Sequence, residues 1–126
     1  MKMPKMKDSG ERRQFSTGAV RDVVTDKPMP ELISPIALDR LGAWLARGAK
    51  KYTARNWEKG MPLSSILGSA FRHMINLMLR RRDEDHAAAF LCNAMFYLHT
   101  EDQIRKGLLP KKLNDLPHYR RKRRKK

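Results

Sequence analysis

The most constraining feature of this sequence is a nearly continuous apolar stretch over residues 86–98, which follows three acidic residues at 83–85. Negative charge favours the N-terminus of a helix, where the helix dipole is positive. The stretch is longer than a typical strand and shorter than the roughly 20 residues of a membrane span. It therefore predicts a central, buried third helix that begins at Asp83 and runs to about Lys106, with Gly107 as C-cap.

Two earlier segments show helical periodicity as well. The first helix is predicted over residues 35–51, because Ser34 is a suitable N-cap, Pro35 suits the first helical position, and apolar residues then recur every three or four positions. The second helix is predicted to open at Pro62 or Ser64 and to end with the arginines at 80–82. Short links favour antiparallel neighbours, so the predicted fold is all-α, a small antiparallel bundle of three main helices.

The segments on either side of these helices lack helical periodicity. Residues 1–30 mix glycine, proline, serine, threonine and charges, which predicts an extended or disordered arm, with residues 18–24 as a short strand-like or docking segment. Residues 31–107 form the predicted helical core, and residues 108–126 form a basic tail. A core of this size is marginal alone, so the apolar third helix leads us to expect a homodimer or a larger homo-oligomer.

Positive charge is concentrated in the tail. The chain has 28 Lys+Arg against 13 Asp+Glu, a net charge of +15, and nine basic residues against one acid lie within residues 108–126. Such a tail attracts nucleic acid nonspecifically through counterion release, or serves only as a solvated segment. We expect no membrane partner. The single cysteine, Cys92, lies in the apolar stretch and is expected to be a buried structural thiol in a reducing compartment.

Titratable residues cluster at the turn between the second and third helices. His73 lies in the second helix and His86 in the third, with Asp83, Glu84 and Asp85 at the same end. The carboxylates can hold a hard divalent cation, while the imidazoles orient ligands or contact phosphate. The alternative is that the acids cap a helix and that His73 is a satisfied core histidine.

The link between the first and second helices is rich in cationic, aromatic and amide side chains. Its cations can neutralise phosphates, its aromatic residues can stack on a base, and its amide can read a base edge. The alternative is that the aromatic residues are packing anchors. With Asn93, which shares a face of the third helix with His86, the candidate nucleotide- and phosphate-binding residues are Lys50, Lys51, Tyr52, Arg55, Asn56, Trp57, Lys59 and Asn93.

The order of these motifs resembles a family of phage proteins. Residues 48–52, residues 55–60, Arg72-His73 and residues 83–89 followed by Asn93 resemble the dATP/dGTP diphosphohydrolase N-terminal-domain family, which is akin to the MazG-like all-α nucleoside triphosphate pyrophosphohydrolases. The resemblance covers about residues 18–105. It implies an oligomeric enzyme of phage nucleotide metabolism, in the cytoplasm of an infected bacterial host. Its reaction would cleave a purine deoxynucleoside triphosphate to the monophosphate and pyrophosphate with Mg²⁺ or Mn²⁺.

The resemblance also implies roles for individual residues. Asp83, Glu84 and Asp85 would bind the metal, and the basic residues of the loop would hold phosphates. The catalytic residues would be Arg72, His73 and His86, with Arg72 or His73 supporting the charge of the transition state.

One departure from the MazG-like pattern leaves other functions open. Those enzymes usually carry acidic residues on two facing helices, whereas this chain has no acid between Leu63 and Arg82. The chain also has no P-loop, dinucleotide fingerprint, nucleophile elbow or Cys/His zinc spacing. The alternatives are a noncatalytic protein that binds nucleotide or nucleic acid and a virion-associated structural protein.

Overall fold

The computed structural model describes residues 3–120 and divides into two compact units between Ile33 and Ser34. The N-terminal unit contains an antiparallel hairpin of strands β1 (Arg12–Gln14) and β2 (Val20–Asp22), in which Arg13 lies opposite Arg21. Gly18, at φ +85°, supplies the left-handed conformation that the turn requires. The segment predicted as an extended arm thus contains a small sheet, and the strand-like segment at 18–24 includes its second strand.

Three helices dominate the second unit, which confirms the predicted fold class. Helix α1 spans Pro35–Tyr52, α2 spans Leu63–Met78 and α3 spans His86–Arg105, and α3 packs against both other helices. Short 3-10 helices lie at Pro30–Leu32, Asn56–Lys59 and Lys111–Leu113. The start of α1 is as predicted, because the Ser34 hydroxyl accepts the amide hydrogen of Ala37 at 3.3 Å.

The second helix ends earlier than predicted. Arg80 takes a left-handed conformation with φ 57°, so the chain leaves the helix after Met78 and does not continue to the arginine at 82. The amide of Arg81 donates to the carbonyl of Asn76 and that of Arg80 to the carbonyl of Leu77, which is the Schellman pattern of a helix end.

The third helix ends as predicted but begins later. Gly107 follows it at φ 74° and again closes a Schellman pattern. At its start, Asp85 is the N-cap, so the residue at 83 lies before the helix. Helix α3 is central as predicted, and its burial within one chain is partial. Phe90, Leu91 and Leu98 remain 38%, 40% and 68% exposed.

The packed core lies at one end of the bundle. Leu63 and Ile66 of α2 meet Ile104 of α3, and partly buried apolar residues surround them: Met61, Phe96, Tyr97, Leu109, Leu113 and Leu116. The last three show that packing continues through residue 116. There the carboxylate of Asp115 accepts the amide hydrogen of Ser64 at 2.9 Å, and so caps the start of α2 from the far end of the chain.

None of the helices within residues 3–120 combines the length and apolarity needed to cross a bilayer. The basic run at 120–126, predicted to contact nucleic acid, lies outside the described residues except for Arg120.

Candidate functional site

Two histidines from different helices meet at the α2–α3 turn. The Nδ1 atoms of His73 and His86 are 3.0 Å apart, and Nε2 of His86 lies 2.8 Å from Oδ1 of Asp83. The His86 side chain is almost completely buried, so its ring needs hydrogen-bond partners on both nitrogens. When Asp83 accepts the Nε2 hydrogen, Nδ1 of His86 keeps its lone pair and accepts a hydrogen from His73.

Glu84 completes this cluster. One ligand atom each from His73, Glu84 and His86 lie within 4.8 Å of one another. Burial lowers the pKa of His73, although the negative charge of Glu84 opposes that shift, so the neutral form with a free nitrogen lone pair is favoured. Two imidazole nitrogens and one carboxylate are a donor set that can hold a divalent metal ion. The 3.0 Å distance between the Nδ1 atoms of His73 and His86 confirms the prediction that these histidines approach one another.

The carboxylate of Asp85, also predicted as a metal ligand, is engaged elsewhere. Its oxygens accept hydrogen bonds from the Arg40 guanidinium at 2.6 and 3.2 Å and from the Ala88 amide at 3.2 Å. These contacts, chiefly the one with Arg40, hold the pKa of Asp85 below its usual range. Asp85 therefore acts as a helix cap and as a tie to α1, whereas Glu84 is exposed.

One face of α1 is directed at this turn. Arg40, Trp44, Arg47 and Lys51 recur at steps of four, three and four residues, and so share that face. The rings of Trp44 and His73 pack in a T-shaped arrangement with centroids 5.8 Å apart. The charge of Arg47 contributes to lowering the pKa of Asp85. The Tyr52 side chain raises the pKa of Lys51 most, and the charge of Glu84 adds to it. A line of cations thus faces the acidic turn.

Sequence reasoning missed Arg40 and Arg47. Trp44 is also absent from the predicted site residues, and the face that these residues share with Lys51 is not part of the prediction. The signal was present in the spacing, since 40, 44, 47 and 51 follow the helical repeat.

Some side chains of the predicted nucleotide-binding loop are engaged in contacts within the protein. The indole of Trp57 stacks on Phe96 with centroids 5.0 Å apart and forms a T-shaped pair with His99 at a centroid distance of 4.8 Å, as in the packing-anchor alternative. Arg55, in a left-handed conformation, pairs with Glu58. Other candidates remain accessible. Tyr52 is 55% exposed, Lys50, Lys51 and Lys59 are exposed, and Asn56 is half-buried.

The remaining candidates differ in accessibility. Arg72 is exposed on α2 next to His73, with its guanidinium beside Gly68. Asn93 is buried and donates its side-chain amide to the carbonyl of Ala89 at 2.9 Å, within its own helix. Cys92 is buried, as expected, and burial raises the pKa of its thiol to about 11. It is therefore protonated at neutral pH and is a poor nucleophile.

Comparison with protein families decides the relationship. Residues 17–108, well over half of the chain, match the family described as dATP/dGTP diphosphohydrolase, N-terminal. The chain belongs to this family. The match confirms the resemblance seen in the motifs, and within this diphosphohydrolase family domain lie the histidine pair, Glu84 and the cationic face of α1. Comparison with curated proteins and with solved structures gave no match.

Proposed function

We propose that this chain hydrolyses a purine deoxynucleoside triphosphate to the monophosphate and pyrophosphate with a bound Mg²⁺ or Mn²⁺. The observation that carries this proposal is the meeting of a metal-ligand donor set with a line of cations, both within the matched family domain. Triphosphate cleavage needs both, because a cation must offset the charge of the phosphates while a water molecule is activated.

The metal would be held by His73, Glu84 and His86, which each offer a donor atom within 4.8 Å of the others. A divalent ion supplies Lewis-acid polarisation of a phosphate oxygen and lowers the pKa of a bound water molecule. Of the three acids predicted as metal ligands, this assignment retains only Glu84. It moves the two histidines from catalytic to ligating roles, and it leaves Asp83 to orient His86.

The chain's own cations would bind the triphosphate. Arg47 and Lys51 extend from the face of α1 that meets the turn, and Arg72 extends from α2 beside His73. A guanidinium can donate two parallel hydrogen bonds to a phosphate, which fixes its orientation as well as its charge. Lys51 lies at the end of the same face, and its ammonium is 5.0 Å from the centroid of the Tyr52 ring.

A turnover panel tests this function. Purified protein should release pyrophosphate from dATP or dGTP when Mg²⁺ or Mn²⁺ is present and release none after chelation. Glu84→Gln should reduce the rate at least a hundredfold, because it removes a charged metal ligand. Asp102→Asn is the matched control, since that half-buried acid pairs with Lys106 at the opposite end of α3. No turnover of any dNTP or NTP above the Glu84→Gln variant would refute the proposal.

One observation favours nucleic-acid binding as a second function. Arg13 and Arg21 are directly opposed across the hairpin, where like charges are destabilising unless an anion bridges them. The guanidinium of Arg13 also lies 5.3 Å from the centroid of the Phe15 ring, which is 44% exposed. A cation beside an exposed aromatic ring is a typical surface for single-stranded nucleic acid.

Binding of a labelled oligothymidylate by the full chain tests this second function. The double variant Arg13→Gln/Arg21→Gln should weaken binding and reduce the salt slope by about 1.4, or 0.7 for each phosphate contact. The control is the double variant Lys111→Gln/Lys112→Gln, which also removes two positive charges, at exposed residues of another segment. Equal losses in the two variants would mean that net charge alone drives binding, and would refute a site on the hairpin.

A further inference from the structure

We propose that His73, Glu84 and His86 form a site for one transition-metal ion per chain, which binds Mn²⁺ in preference to Mg²⁺. This site is the metal site of the hydrolase proposed above, so its catalytic meaning rests on that function. Its existence and its selectivity do not, because they follow from which atoms converge at the α2–α3 turn.

The donor atoms favour manganese over magnesium. Two of the three donors are imidazole nitrogens, and the third is a carboxylate oxygen. Magnesium is a hard ion that prefers oxygen ligands and retains much of its water, whereas imidazole binds manganese, iron, cobalt and zinc. A carboxylate serves both kinds of ion. The two nitrogens therefore discriminate between them, and loss of either should remove the discrimination.

The other carboxylates near the cluster already have hydrogen-bond partners, so few oxygen atoms are free to replace the histidine nitrogens as ligands. Asp83 is bonded to Nε2 of His86, and both oxygens of Asp85 are engaged by Arg40, with the Ala88 amide as a further donor. The facing helix α2 contains no aspartate or glutamate between Leu63 and Met78. The four-carboxylate arrangement typical of MazG-like enzymes is thus absent from the described residues at this turn, and a single nitrogen-rich site stands in its place.

The spacing of the two nitrogens suits one metal ion. With metal–nitrogen bonds of about 2.1 Å, as zinc forms them, two nitrogens on one ion can lie up to about 4.2 Å apart. The Nδ1 atoms of His73 and His86 are 3.0 Å apart. Without an ion this contact is an N–H···N hydrogen bond. On metal binding, His73 loses its Nδ1 proton to solvent and takes one up on Nε2, so both Nδ1 lone pairs become available without a net change of charge.

Contacts outside the donor set hold both rings in place. Asp83 accepts from Nε2 of His86 at 2.8 Å, the carboxylate–histidine arrangement that fixes the tautomer and strengthens the other nitrogen as a ligand. Trp44 packs against His73 in a T-shaped arrangement. Arg40 holds Asp85, the N-cap that sets the position of His86 as the first residue of α3. Preorganisation of this kind reduces the entropy lost when a ligand binds.

Metal binding to the full-length protein, without nucleotide, tests the site. The electron paramagnetic resonance signal of free Mn²⁺ should fall until about one ion is bound per chain, and a hundredfold excess of Mg²⁺ should displace little of it. His73→Ala and His86→Ala should each weaken Mn²⁺ binding at least tenfold, and Asp83→Asn about tenfold, because outer contacts of metal ligands typically matter to that extent. His118→Ala, at an exposed position, is the matched control.

Exposed positions keep the test informative where a buried histidine variant fails to fold. Glu84 is exposed, and the Asp83 side chain is 70% exposed, so Glu84→Gln and Asp83→Asn should leave the circular dichroism melt unchanged while weakening Mn²⁺ binding. Displacement of Mn²⁺ by an equal concentration of Mg²⁺ would overturn the proposal, as would wild-type affinity in the Glu84→Gln variant. Selective Mn²⁺ binding without dNTP turnover would sustain this site and refute the hydrolase. Turnover equally fast with Mg²⁺, without selective binding, would do the reverse.

Discussion

Arg40 and Asp85 form a two-point ion pair, with Nη2 of Arg40 2.6 Å from Oδ1 of Asp85 and Nε 3.2 Å from Oδ2. The same carboxylate accepts the amide hydrogen of Ala88 and is the N-cap of α3. One side chain therefore joins α1 to the start of α3, one residue before His86. Its loss should affect both the stability of the fold and the orientation of the histidine.

Arg40→Ala should lower the free energy of unfolding, because bidentate geometry is the case in which a solvent-exposed pair contributes measurably to stability. Asp85→Ala should cost about 1 kcal/mol more, since the helix also loses its cap. Urea unfolding measures both. Arg105→Ala is the control, because Arg105 pairs with Asp102 at 3.7 Å on an exposed surface. Equal costs for Arg40→Ala and Arg105→Ala would contradict a special role for the Arg40–Asp85 pair.

Two glycines should respond oppositely to alanine substitution. Gly60 has φ +96°, and a Cβ there would lie 2.8 Å from Cδ1 of Leu113, so Gly60→Ala should destabilise the fold by about 1–3 kcal/mol. Gly42 lies inside α1 with nothing within 4 Å of an added Cβ, so Gly42→Ala should stabilise by about 0.5–1 kcal/mol. Thermal melts of the two variants check the signs. A Gly60→Ala protein as stable as the wild type would mean that Leu113 does not pack against Gly60 and that residue 60 does not keep its positive φ.

The cap that Asp115 provides should depend on pH. Hydrogen bonds from Ser64 hold the pKa of Asp115 below its ordinary value. A carboxyl group whose pKa is lower in the folded state stabilises the fold above its unfolded pKa of about 3.9, and this contribution is lost as the pH falls through the folded value. The difference in melting temperature between the wild type and Asp115→Asn should therefore be present at pH 6 and shrink below pH 4. A difference that stays constant down to pH 2 would rule out this linkage.

Self-association, expected from the sequence, remains a prediction that the exposed surface of α2 supports. Phe71, Ile75 and Met78 are 56%, 50% and 75% exposed at positions that share one helical face. A second copy of the chain would bury this stripe. Ile75→Glu should shift the protein to monomer in light scattering after size exclusion. Leu108→Glu is the control, because it alters an exposed apolar residue outside this stripe and should not change the oligomeric state. A wild-type protein that is monomeric at all concentrations would disprove the prediction.

Periodicity and caps made much of the fold predictable. Ser34 marks the start of α1 and Gly107 marks the end of α3, as the sequence predicts. Both signals are local, because a hydroxyl N-cap and a left-handed glycine act on the adjacent turn of the helix. The end of α2 was not predictable in the same way. Arg80 adopts the left-handed conformation without being glycine, and the residues around it are good helix formers. The cap from Asp115 to Ser64 joins residues 51 positions apart, and no local pattern indicates it.

The histidine cluster was predictable because a tight turn brings neighbouring helix ends together. The separate roles of Asp83, Glu84 and Asp85 were not, since three adjacent acids look alike in sequence. What distinguishes them is their partners, His86 for Asp83 and Arg40 for Asp85. Arg40 is 45 residues away from Asp85, so that partner emerges only when α1 packs on α3.

Thr100 should tolerate loss of its hydroxyl better than loss of its methyl group. The residue is fully buried, and its Oγ1 has no hydrogen-bond partner within the described residues. An unpaired buried hydroxyl costs about 1–3 kcal/mol, so Thr100→Val, which has nearly the same shape, should leave stability unchanged or raise it. Thr100→Ser keeps the hydroxyl and removes a buried methyl group, and should cost about 1 kcal/mol. Urea unfolding orders the three proteins. If Thr100→Val is the less stable of the two variants, the hydroxyl has a partner in solution and packing alone does not explain this position.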